Sequence, residues 1–172
     1  MIYMVENGFA DSARELAWNT WYTQHVTHTF HSVPGWRTGQ RFVALPPSQP
    51  KYRAMYTLDS AEVLTSPAYQ ATTHGRFPDT WRSMITDFHR NLADGDCMPA
   101  VEKDQYLIVA DPPATGLELT EIALQWWNVV GLDRSVTRRA IGVVDRASGD
   151  TIARRALPGV GVYAPLFDRY VV

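Results

Sequence analysis

Trp21-Tyr22-Thr23-Gln24-His25-Val26 closes a polar-capped segment of helical period, and Val33-Pro34-Gly35 followed by Arg41-Phe42 carries the chain out of it into a strand. This stretch puts a titratable ring where a helix meets a sheet. Successive helical residues rotate by about 100°. Trp18, Tyr22, His25 and Thr29 therefore share one stripe, with Trp21 and His28 on an adjacent one, and the stripe should face the sheet.

Working outward, Ile2-Tyr3-Met4-Val5 has strand propensity and Glu6-Asn7-Gly8 has the turn chemistry to end it. Asp11 or Ser12 is placed to cap the helix, with Glu15 three residues after Ser12 as in a capping box, and the helix should run to about Phe30. Strands follow near Trp36–Ala44 and Tyr52–Leu58. The loop Leu45-Pro46-Pro47-Ser48-Gln49-Pro50 between them lacks the amide donors of a continued hairpin ladder. A second helix is expected over 60–92, in two pieces around Pro78, and Gln105–Ala110 returns as a strand. The order is βαββαβ, the split βαβ of a ferredoxin-like unit.

A repeat follows. Moving Ile2-Tyr3-Met4-Val5-Glu6 forward by 105 positions lands on Leu107-Ile108-Val109-Ala110-Asp111, and the same shift carries Trp21-Tyr22 onto Trp126-Trp127. Arg139-Ala140-Ile141-Gly142-Val143-Val144 then answers to the Arg41-Phe42-Val43 strand, and Gly161-Val162-Tyr163-Ala164 to Ala54-Met55-Tyr56-Thr57. The expected organisation is a complete ferredoxin-like unit over 1–104 and a truncated βαββ copy over 105–172, packed as one compact α+β domain. The alternative is one elaborated unit with a C-terminal hairpin. Under the shift His25 falls on Val130, and the second copy has no histidine.

Composition narrows the partners. The 172 residues are 45% hydrophobic and 12% aromatic, enough for a sizeable core. Lys+Arg 16 against Asp+Glu 18 makes neither nucleic acid nor an anionic membrane an obvious partner. Arginine greatly outnumbers lysine, which reflects genomic base composition more often than phosphate recognition. The single Cys97 forbids an intrachain disulfide, reads as a loop thiol, and fits a reducing cytoplasm. No apolar run approaches the roughly 20 residues of a bilayer span, and the N-terminus has no basic-then-apolar signal pattern.

An aromatic pair ahead of a first-helix histidine, a Val-Pro-Gly turn and an Arg-Phe strand together resemble the dimeric α/β-barrel superfamily, with its EthD-like proteins, muconolactone isomerases, small polyketide cyclases and cofactor-free monooxygenases. The resemblance implies a ligand cleft between helices and sheet, no obligatory cofactor, and a homodimer, which pairs the two complete ferredoxin-like sheets across a two-fold or, if the truncated copy closes the barrel within the chain, uses another surface. It also implies that Asp79, Trp81, Arg82, Asp87 and His89, after Pro78, close the pocket.

Within that frame His25 is the candidate general acid or base, because an imidazole in a semi-apolar cleft titrates near neutral pH. The bland reading is a helix-face histidine capping a backbone carbonyl. Tyr22 would donate to developing oxyanion charge, Arg41 would anchor the substrate through a bidentate guanidinium, and Trp18, Trp21, His28 and His74 would line the site. Arg37 shares the Arg41 strand face and Arg53 sits on the next strand, each more simply read as an ion-pair partner. His25 and His28 could chelate a divalent ion with His74 or Glu6, but the zincin spacing is absent, and no short motif marks a haem ligand, although His74 could serve as one. Trp36, Trp126, Trp127 and Phe77 read as core. Three functions follow: a cofactor-independent isomerase, cyclase, dehydratase or lyase acting on a small aromatic or lactone-like metabolite; a cofactor-free or haem-dependent monooxygenase of the same fold; or a non-catalytic small-molecule binder. Fold alone does not choose among them.

Overall fold

The computed structural model describes residues 1–72, 77–114 and 122–172. Strands β1 (Ile2–Phe9), β2 (Trp36–Ala44), β3 (Tyr52–Leu58), β4 (Ile85–Ala93), β5 (Gln105–Ala110), β6 (Gln125–Leu132), β7 (Arg138–Asp145) and β8 (Val160–Pro165) form an antiparallel sheet in the order β3-β1-β4-β6-β7-β5-β8-β2. Pairing of β2 with β3 closes it into an eight-stranded barrel. The two-residue strand β9 (Tyr170–Val171) adds to β2 at Thr38 and Gly39. Closure within one chain removes the edges that would otherwise recruit a partner strand.

Period-two alternation sorts the side chains. Ile2 and Met4 of β1, Met55 of β3, Leu107 and Val109 of β5, Trp127 and Val129 of β6 and Tyr163 of β8 fill the lumen. On the outside, Tyr3, Val5, Tyr52, Ala54 and Tyr56 meet helix α1 (Glu15–Ser32) through Trp18, Tyr22, Val26 and Phe30. On the opposite side Tyr106, Ile108, Val144 and Val162 pack under Ile152 and Ala153 of α4 (Arg146–Arg155). The architecture is thus α+β, with helices laid on a closed barrel. Among the described residues no helix is long and apolar enough to cross a membrane.

Several expectations need correction. The segment 60–92 is not one helix: it breaks into a 3-10 turn (Ala61–Thr65), the short helices α2 (Pro67–Gln70) and α3 (Asp79–Arg82), and then strand β4. Pro67 and Pro78 start the two short helices, since proline lacks an amide to donate within a helix. Beyond them β4 gains ladders to both β1 and β6, which outweigh local helical period. Gln105–Ala110 is therefore the fifth strand rather than the fourth, between β7 and β8.

In the second half Trp126 and Trp127 lie on β6, not on a helix: Trp127 enters the lumen and Trp126 stays outside under Arg138. The helix there comes later, as α4, capped by Asp145, whose carboxylate accepts the Ser148 amide at 2.8 Å. Its residue Gly149 lies so close to the sheet that a Cβ would stand 2.3 Å from Tyr106. Gly161-Val162-Tyr163-Ala164 is consequently the strand after α4, not a counterpart of β3. At the start of the chain β1 runs through Glu6-Asn7-Gly8 to Phe9, with a β-bulge against β4 between Glu6 and Gly8. Asp11 turns the chain by accepting the Ala13 amide at 3.0 Å, while the N-cap position is Arg14. Glu15 makes no capping box, because it is drawn to Lys51 and the Tyr52 hydroxyl.

Candidate active site between the first helix and the barrel

The buried stripe of α1 lies on the outer face of β1, β2 and β3, and where it leaves the sheet a slot opens. Its lining is mostly aromatic, with Val5, Val26 and Thr29 between the rings. Trp21, Tyr22 and His25 come from α1, Tyr3 from β1, Trp36 from β2 and Tyr56 from β3, while Tyr69, Phe77 and Phe88 form the far wall. The slot encloses about 450 Å³ counting its open mouth, of which the centre of a water molecule reaches only about 40 Å³. It is narrow.

His25 stands at the mouth with its ring parallel to Trp21, centroids 5.3 Å apart and planes 4° from parallel. Tyr22 lies 6.3 Å from the imidazole on the inner side. Burial among these rings, reinforced by His28, pushes the His25 pKa down to about 4. The sequence-based expectation of titration near neutrality is corrected: at neutral pH the ring is uncharged, because burial strips the hydration an imidazolium needs and His28 adds like charge beside it. Burial raises the Tyr22 and Tyr56 phenols above their ordinary values, so both keep their protons and remain donors. Tyr3 and Tyr69 bring their hydroxyls within 3.4 Å of each other at the inner end. Trp36 Nε1, also buried, has no hydrogen-bond acceptor among the described residues.

Of the residues singled out from sequence, His25, Tyr22 and Trp21 come together in the slot. Trp18 does not line it but supports it from below, stacked on Phe9 at 4.8 Å and edge-on to Tyr52 at 4.7 Å. Arg41 is buried under α1 rather than exposed to the cleft. Its guanidinium sits 4.1 Å from the Tyr22 ring centre and donates to the Asn19 side chain at 2.8 Å. In that place it draws down the Tyr22 pKa against the effect of burial. His28 points outward beside Ser32. His74 lies outside the described residues. Among those described, no three metal-ligating side chains converge.

Trp81 packs near Trp21 and Phe9, and His89 and Asp87 face a different cavity. Arg37 pairs with Asp59 at the surface. Tyr3, Tyr56, Tyr69 and Phe88 had no motif to mark them. The available signal was the period-two face that puts Tyr3 and Val5 of β1 beside Tyr52 and Tyr56 of β3.

No protein-family model matches the chain, and no curated relative is found. Among solved structures it is similar to an anthrone oxidase-like protein, at a TM-score of 0.59 and 10% identity over 99% of this chain and 92% of the other. It is also similar to a candidate monooxygenase from Fusobacterium nucleatum subsp. nucleatum, at a TM-score of 0.54 and 11% identity over 96% and 92% of the two chains. At such identities the likeness is one of fold, and the fold is the α+β barrel.

Proposed function

We propose that the slot is the active site of an enzyme that binds a flat, carbonyl- or hydroxyl-bearing aromatic molecule and removes a proton from it without a cofactor. The observation that carries this reading is the uncharged His25 ring held parallel to Trp21 at the mouth of an aromatic slot. A base with a pKa near 4 is unprotonated at neutral pH but weak, so the substrate must supply an acidic C–H or O–H. The C–H electron pair would delocalise onto the substrate's carbonyl oxygen while the proton passes to an imidazole nitrogen. Phenols that stay protonated are suited to hydrogen-bond that oxygen, and Tyr22, with Arg41 against its ring, is the stronger donor candidate.

Return of the proton at another carbon makes the enzyme an isomerase or cyclase, and loss of a leaving group makes it a dehydratase or lyase. This is the EthD-like and small-cyclase reading. The second reading is capture of the carbanion by dioxygen, favoured by the names of the two fold neighbours. For an anthrone, one substrate molecule and one dioxygen would give the anthraquinone and water. A panel of hydroxylated aromatic ketones, offered with and without dioxygen and followed for solvent-deuterium exchange, tests both. Exchange without oxygen uptake supports the first, oxygen consumption the second. Binding without either selects the non-catalytic binder.

We also infer that 1–104 and 105–172 are related halves, because β2-β3-β1-β4 and β6-β7-β5-β8 follow each other round the barrel, each in the order second, third, first and fourth strand of its half. A homodimer is proposed as well. Since the barrel closes within one chain, the pairing would use a surface other than a strand edge. Light scattering that returned 19.4 kDa would refute it.

A further inference from the structure

Beyond the inner end of the slot, on the same outer face of the sheet, lies a second and roomier cavity. It encloses about 880 Å³ counting its mouth, and the centre of a water molecule reaches about 420 Å³ of it, against about 40 Å³ in the slot. Tyr3 and Tyr69 line both, so their rings form the shared wall. Leu64, Thr65 and Gln70 make one side and Leu132 of β6 another, and Arg90 of β4 is the only charged residue in the lining among the described residues.

Strand register explains the place of the arginine. Arg90 stands opposite Val5 of β1, and period-two alternation sets it on the outer face with Phe88 and Leu92. The Asp133 carboxylate meets it at the backbone amide, at 2.7 Å, and among the described residues no carboxylate is within ion-pair distance of the guanidinium. Its Nε is shut away from solvent without an acceptor, whereas Nη1 and Nη2 are not closed off and border the cavity. A guanidinium keeps its charge at any ordinary pH. Here the lining offers it no counter-charge.

The phenols add donors beside that cation. Their hydroxyls are 3.4 Å apart, well beyond the usual separation of about 2.7–2.8 Å for an O–H···O bond. At most one of the two phenolic protons lies between the oxygens, so the other has no acceptor among the described residues. Burial raises both phenol pKa values, so both keep their protons, and the charge of Arg90 draws each down against that effect.

We propose that Tyr3, Tyr69 and Arg90 form an anion subsite for the ligand of the slot, and that it takes the carboxylate of a small aromatic acid. One cation among neutral donors selects a monoanion, and a planar carboxylate matches the guanidinium edge left open at Nη1 and Nη2. Leu64 and Leu132, with the rings of the slot beyond the phenol pair, give the aromatic body its apolar surroundings. This deepens the functional reading by placing an acidic group on the substrate, and it rests on the slot as the place of the ring, not on proton removal by His25.

The test titrates the whole protein at neutral pH with sodium benzoate, benzamide and sodium chloride at constant ionic strength, reading the ¹⁵N–¹H resonance of Arg90 Nε and the melting temperature. Benzoate should shift the resonance saturably and raise the melting temperature with concentration, as ligand linkage requires. Benzamide, of the same shape without the charge, and chloride should do neither. Arg90→Gln should weaken benzoate about tenfold or more, the loss expected for a hydrogen bond to a charged group. If Arg90→Gln does not fold, the contrast between benzoate and benzamide in the wild type decides. No saturable shift up to about 100 mM benzoate, where a millimolar site would be filled, an equal response to benzamide, or unchanged affinity in a folded Arg90→Gln overturns the proposal. Proton exchange or oxygen uptake in the ketone panel without benzoate binding sinks this inference alone, whereas benzoate binding with a silent panel upholds it and removes the catalytic reading.

Discussion

The imidazole of His25 lies face to face with the indole of Trp21, 5.3 Å between centroids and 4° from parallel, and this contact orients the ring and contributes to the burial that keeps it uncharged. One face is covered by an apolar plane, so the imidazolium loses hydration it would need.

Replacing His25 with alanine should lower turnover by about 10²- to 10⁴-fold, the usual contribution of a positioned acid or base. The melting temperature should barely move, since the residue is at the margin of the core. His28→Ala, on the outward face of α1, should cost far less. Steady-state kinetics on the substrate found by the panel checks this, and full turnover in His25→Ala would return the slot to a binding role.

The same ring makes acid stability measurable. Its folded pKa, about 4, is below the ordinary 6.5. Between those values the unfolded chain binds a proton that the folded chain refuses, so the contribution of this residue is complete above about pH 6.5 and is lost as pH falls to about 4. Urea midpoints across that window should decline in the wild type and decline less in His25→Gln. Turnover should likewise show its acidic limb near 4 rather than near 6.5.

Arg41→Met removes the charge beneath Tyr22 and leaves the Asn19 side-chain oxygen without its donor. A loss of about 1–3 kcal/mol in chemical denaturation is expected from the unpaired buried acceptor and the lost cation–π contact. The Tyr22 phenol should also titrate higher, visible in the ultraviolet difference spectrum. An unchanged phenolate titration would show that Arg41 does not polarise Tyr22.

Gly39 marks where β2 passes under α1, because a Cβ there would stand 2.6 Å from Phe30 and from Tyr56. Gly39→Ala should therefore destabilise the fold by about 1–3 kcal/mol through overpacking. It should also press Tyr56 into the slot, weakening aromatic ligands in a fluorescence titration of Trp21.

Cys97 is exposed and weakly bonded to the Met98 carbonyl at 3.4 Å. Cys97→Ser should leave stability within about 0.5 kcal/mol and activity unchanged. Activity lost in that variant alone would point to thiolate chemistry instead.

The sequence by itself determined the local framework: the period of Trp18, Tyr22 and His25 set the buried stripe of α1, and the alternation in β1, β2, β3 and β5 set their faces. It also singled out His25, Tyr22 and Trp21, because a helical stripe is a local property. Only the tertiary structure decided that 85–93 is a strand, since its hydrogen bonds go to β1 and β6, distant in sequence, and nothing local supplies them. The same holds for Trp126 and Trp127, whose apparent match to the first helix yielded to pairing with β7. Tyr3, Tyr56, Tyr69 and Phe88 enter the slot from four separate segments. The burial that lowers the His25 pKa adds Tyr56, Phe77 and Phe88, from distant segments, to its neighbours on α1, and the contacts among Asp111, Arg139, Glu6 and Arg53 likewise join side chains far apart along the chain.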